Sequence, residues 1–134
     1  MDLSKEYILM CEKAAETQTK DFNAYACLQS CYKSDFGKVM VDNYDNCFVF
    51  SQNKPCYIWL PRQDQLQEMV RREHEYRNGK SWQVNYILLF SDWIRKTIDP
   101  LSHTDISAEI LSLMYVMALK FNKQWNGQDW EEMK

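Results

Sequence analysis

The sequence predicts an α+β fold, a single domain over residues 1–134 in which about four helices pack on a small three-stranded antiparallel sheet. Three observations carry that prediction. Apolar residues recur at helical spacing near the N-terminus and through the second half of the chain. Between these stretches lie three short β-branched and aromatic runs, "KVMV" (38–41), "CFVFS" (47–51) and "CYIWL" (56–60), separated by the polar turns "DNYDN" and "QNKP". Finally, only 3 Gly and 3 Pro occur among 134 residues, too few to build a long flexible linker between two domains.

Each element follows from local chemistry. Asp2 is placed to cap a first helix running to about Gln18, with Leu3, Tyr7, Cys11, Ala14 and Ala15 on one face and most charges off it. Residues 19–35 fit either a short second helix or an irregular turn. The strand runs are continuously apolar rather than alternating, which predicts a sheet covered on both faces. Pro61 ends the third strand by removing a ladder donor and presets the backbone for a helix start. Asp64 then falls in the first turn, where a negative charge suits the positive end of the helix dipole, and Leu66, Met69 and Val70 carry the helical period on toward Arg77. Asn78–Gly79 signals a turn, and Ser81 caps a helix over about 82–97. There Trp82, Tyr86, Leu89, Phe90, Trp93 and Ile94, widened by Ile87 and Leu88, form an apolar face broad enough for the central helix of the domain. "DPLSH" breaks it. Thr104 or Asp105 caps a last helix, and "NGQ" (126–128) stops it with Gly127 as the left-handed C-terminal residue. Trp125 and Trp130 flank that stop, where both rings can close the core.

Composition narrows the function classes. With 16 basic and 19 acidic side chains the net charge is −3, without the basic excess of a nucleic-acid binder. The start "MDLSKEYILMCEKAAETQ" has no apolar run suited to a signal peptide, and no stretch approaches a membrane span, so a soluble cytoplasmic protein is expected. The five cysteines, Cys11, Cys27, Cys31, Cys47 and Cys56, are odd in number and predict reduced thiols. A zinc site built from Cys27, Cys31, Cys47 and Cys56 is the sharper alternative. "CLQSC" sits in a helix-like stretch with no Gly for a knuckle, which favours buried free thiols, and neither metal nor cofactor is expected.

The catalytic inventory is thin, and no catalytic residue is assigned. No Gly-rich phosphate loop or G-x-S-x-G elbow occurs. His74 lies in "RREHEYR", whose charges predict a solvated helix face, and His103 lies in a loop before a helix. Glu68, Glu73, Glu75 and Glu109 lack the paired E-x-x-E spacing of a helical magnesium site, so "EMVRREHEYR" reads as ion pairs on an exposed helix. "WLPRQDQ" (59–65) is the strongest candidate. One reading makes Trp59 core, Pro61 a strand stop and the polar residues caps. The other makes Trp59, Arg62, Gln63, Asp64, Gln65 and Trp125 a binding surface, because four polar side chains at one helix start exceed the single cap a helix needs. Arg62 would offer its planar fork to a carboxylate or phosphate.

Three segments, "YILMCEKAAETQ" (7–18), "IWLPRQDQLQEMV" (58–70) and "YVMALKFNKQWNGQDW" (115–130), together resemble a group of small proteins encoded by phages and prophages of Gram-positive bacteria. Members of that group open on a "YIxMCEKAxEIQ" helix, carry "WLPRQDQLQEM" after a short β segment and close on "KxYNKxWNGxxW". The resemblance implies a phage-derived accessory protein of the host cytoplasm and implies no activity. Three functions are therefore expected as alternatives: a non-enzymatic module binding a host or defence protein; a small nucleotide- or anion-binding protein or hydrolase using Arg62–Gln65; and a structural homo-oligomer joined through the last helix, the chain being a monomer or homodimer.

Overall fold

The computed structural model describes residues 2–18, 39–41, 45–51, 57–75, 79–98 and 106–134. It is α+β, as the pattern of residues predicts. The chain groups into two compact units, one formed by Leu3–Arg62 with Trp125–Trp130 and the other by Asp2, Gln63–Gln124 and Glu131–Lys134. The possible second helix at 19–35, His103, Thr104, Asp105 and three of the cysteines, Cys27, Cys31 and Cys56, lie outside the described residues.

The first unit begins with helix α1, Lys5–Lys13. Its cap is Ser4 rather than Asp2, the Ser4 hydroxyl accepting from the Tyr7 amide at 3.1 Å. The helix is shorter than expected because Ala14 leaves the helical region, and the chain continues as a 3₁₀ turn at Ala15–Thr17. Tyr7, Met10, Cys11 and Ala14 are fully buried, the face that their spacing predicts. Strands β1 (Val39–Val41), β2 (Cys47–Phe50) and β3 (Tyr57–Leu60) form an antiparallel sheet in the order β1-β2-β3, with Met40 opposite Phe48 and Phe48 opposite Trp59. All four residues of β2 are buried, which is why its run is continuously apolar.

Helix α1 packs against β3, and the Tyr7 hydroxyl donates to the Pro61 carbonyl. At the outer edge of β3, Gln18 replaces a fourth strand. Its side-chain oxygen accepts from the Trp59 amide at 2.9 Å, and its nitrogen donates to the Trp59 carbonyl at 3.1 Å. A side-chain amide thus satisfies an edge that otherwise presents bare pairing groups.

The second unit opens with α2, Gln63–Met69, and α3, Arg71–His74. The continuous helix expected to Arg77 is interrupted at Val70, whose neighbours bond i to i+3, Val70 N to Gln67 O and Glu73 N to Val70 O, both at 3.2 Å. Helix α4, Trp82–Thr97, has the expected Ser81 cap, and Gly79 takes the left-handed φ of 66° that the turn signal predicts. Helix α5, Ala108–Phe121, is capped by Ser107, which accepts from the Ile110 amide at 3.1 Å and donates its own proton to Asp2.

The end of α5 corrects a further expectation. The left-handed terminal residue is Asn122, at φ 54°, and not Gly127. Gly127 instead turns a hairpin between β4 (Lys123–Trp125) and β5 (Trp130–Glu132), two strands that the aromatic ending did not announce. The helix expected at the centre is also different. Helix α5 buries Ile110, Leu113, Tyr115, Val116 and Met117, whereas α4 buries only Asn85 and Tyr86. No helix among the described residues is long and apolar enough to cross a membrane.

Candidate functional site

The residues singled out around "WLPRQDQ" divide between the two units. Trp59 is 1% exposed in the core of β3, so its ring lines no open surface. Leu60 and Pro61 are buried with it. Arg62 is half-buried and spends a guanidinium N–H on the Asp45 carbonyl. Asp45 holds a left-handed φ of 61°, so Arg62 pins a strained turn ahead of β2. Gln63, Asp64 and Gln65 form the first turn of α2 in the second unit, Asp64 exposed and the other two half-buried. Asp64 and Gln65 each have a partner within the chain. Trp125 is half-buried in the first unit, its ring centroid 5.2 Å from that of Trp130. Trp130 is the ring that closes the core, donating its indole N–H to the Met10 carbonyl at 3.0 Å.

Several titratable side chains are committed to structure. His74 is not on a solvated face; it is 0% exposed. Its Nδ1 lies 2.6 Å from the Val70 carbonyl and its Nε2 lies 2.8 Å from the Tyr115 hydroxyl. A carbonyl only accepts, so in the neutral ring the proton sits on Nδ1 and Nε2 accepts from Tyr115. The His74 carbonyl accepts from Asn85 at 2.9 Å, tying α3 to α4. Around this pair Tyr86, Phe90, Trp93 and Tyr115 form an aromatic cluster, with centroids of Tyr115 at 5.0–5.8 Å from its neighbours.

Arg71 makes the expected ion pairs on one helix face, to Glu75 at 2.8 Å and to Glu68 at 3.2 Å, and lies 5.3 Å over the Trp82 ring. Arg71, Glu75 and Trp82 border an open groove of about 390 Å³ that also has Gly79, Lys80 and Ser81 in its wall. Cys11 and Cys47 are buried and in no disulfide, and burial pushes Cys47 up from the usual thiol range, against a weaker opposing pull from Arg62. Among the described residues no three His, Cys, Asp or Glu side chains converge as a ligand set.

The surface that residue spacing did not single out is the outer side of α4. Val84, Ile87 and Leu88 are 43%, 61% and 51% exposed, on the side away from buried Tyr86. Their i, i+3, i+4 spacing places them on one stripe, which Ser91, small and exposed, continues a turn later. The available signal was that residues 82–94 are apolar on more than one side. A helix of that kind needs cover on both.

Comparison of the chain with protein-family models, with curated proteins and with solved structures returned no match.

Proposed function

We propose that this chain is a non-enzymatic protein-interaction module, an accessory protein of the phage or prophage type, and that its contact surface is the outer stripe of α4. The observation that carries the reading is the exposure of Val84, Ile87 and Leu88 together on one helix side. Scattered single apolar residues on a surface need no explanation, but three adjacent ones on one helix mark a contact face. The phage assignment rests on the resemblance of three sequence segments. The buried Trp59 and the engaged Arg62 move the expected contact away from the strand-to-helix junction.

The test is site-specific photo-cross-linking. A benzophenone side chain at Ser91 should give a discrete heteromeric adduct in a Gram-positive host lysate, and Ile87→Gln with Leu88→Gln should abolish it while the helical circular dichroism signal stays unchanged. An adduct indifferent to those substitutions argues against this surface.

A small-ligand reading has one observation of its own, the groove beside Arg71 and Trp82. Its volume falls within the usual range for ligand pockets. Native mass spectrometry compared with the denatured mass would reveal a retained nucleotide, anion or metal. The homo-oligomer reading through the last helix is weakened by the burial of most of the apolar face of α5.

A further inference from the structure

We propose that the outer stripe of α4 docks an amphipathic helix of a partner protein whose flanking charges are acidic; this inference rests on the interaction reading above and specifies the partner. The apolar part sets the mode. Val84, Ile87 and Leu88 followed by Ser91 make a ridge with a shallow step, running about 16 Å to Arg95 at the rise of an α-helix. That is three turns, the length over which a partner helix anchors through its own i, i+3, i+4 and i+7 residues.

The charges select the partner. At the two ends of the stripe the exposed ionic groups are Lys80, Arg95 and Lys96. Asp92 is the one carboxylate within α4, and it is tied to Lys96 at 2.8 Å. Among the described residues no carboxylate forms an ion pair with Lys80 or Arg95. Among the described residues the rim is therefore basic, on a chain whose net charge is −3. A second copy of this chain is a poor occupant. Set antiparallel, it brings Arg95 and Lys96 to Lys80 of the other copy; set parallel, it brings each basic end to its twin. Either arrangement places like charges together, whereas acidic residues flanking a partner's apolar stripe meet Lys80 and Arg95, the cations that Asp92 leaves without an ion pair.

Two synthetic helical peptides of about five turns, sharing one leucine stripe and flanked by Glu in one and Lys in the other, serve as probes for calorimetric titration of the full chain. The expected result is at least about tenfold tighter binding of the Glu-flanked peptide at low salt, a difference that shrinks as salt is raised. Arg95→Glu with Lys96→Glu should reverse the preference. Ile87→Gln with Leu88→Gln should weaken both peptides by about tenfold or more without shifting the melting temperature. Equal binding of both peptides would overturn the acidic partner while leaving the docking face standing. No binding of either would overturn the docking face itself. A dimer in sedimentation velocity that Leu88→Gln dissociates would assign the stripe to a second copy and overturn the proposal.

Discussion

At the scale of single residues, this protein uses polar side chains where a larger fold would use backbone. Gln18 stands in for a neighbouring strand at Trp59, Arg62 holds the left-handed turn at Asp45, and His74 bridges the Val70 carbonyl and the Tyr115 hydroxyl from a fully buried position. Sequence spacing hides these roles, because their partners are far apart in the chain: Gln18 and Trp59 are 41 residues apart, as are His74 and Tyr115. His74 therefore reads as solvated from its charged neighbours, although its ring is core. His74→Phe keeps an aromatic ring but removes the two hydrogen bonds that His74 makes, to the Tyr115 hydroxyl and to the Val70 carbonyl, and is expected to cost about 1–3 kcal/mol in urea unfolding. Tyr115→Phe should cost less than the sum implies when combined with it, because the two substitutions remove one shared bond, and a double-mutant cycle reads that coupling directly. Arg62→Ala is expected to lower stability rather than to abolish a binding activity, since it releases the Asp45 turn; thermal melting separates the two outcomes.

At the scale of elements, legibility depended on whether the signal was local. The three strands were readable to within a residue, because β-branched runs bounded by polar turns are short-range information. The Ser81-capped helix was readable for the same reason. The break at Val70, the left-handed Asn122 and the terminal hairpin were not, since each is set by packing or by a turn competing with a nearby Gly. Asn122 is an instructive case: the chain passes over Gly127 as a terminator because Asn also tolerates the left-handed region, and its side chain donates to the Met133 carbonyl at 3.1 Å. Asn122→Val should destabilise by about 1–2 kcal/mol or more, read by chemical denaturation, because a β-branched residue is strained there. On α4 the expectation has the opposite sign. Ile87→Gln and Leu88→Gln face solvent, so each should change stability by no more than about 0.5 kcal/mol and should reduce concentration-dependent aggregation measured by light scattering.

At the scale of the whole molecule, each compact unit contains, among the described residues, a buried group whose ionisation folding resists: the Cys47 thiol on β2 and the Tyr86 phenol on α4. Burial is the first cause in both, and it raises both pKa values, because the charged form loses more by leaving water than the neutral form does. The fold class, the sheet and the caps were legible without this information, but the alkaline response was not, since it depends on which Cys and which Tyr the core encloses. The sign follows from proton linkage. Between the unfolded and the folded pKa the native state holds a proton that the unfolded chain has released, so stability falls as pH rises. Below the ordinary thiol pKa of about 8.5 neither group contributes a slope; above it Cys47 does, and above about 10 Tyr86 joins it. Melting temperature should therefore decline from pH 8.5 upward and more steeply past pH 10. Cys47→Ala should flatten the first part of that decline and Tyr86→Phe the second, whatever each does to stability at neutral pH. A decline of unchanged slope in both variants would place the alkaline sensitivity in other groups.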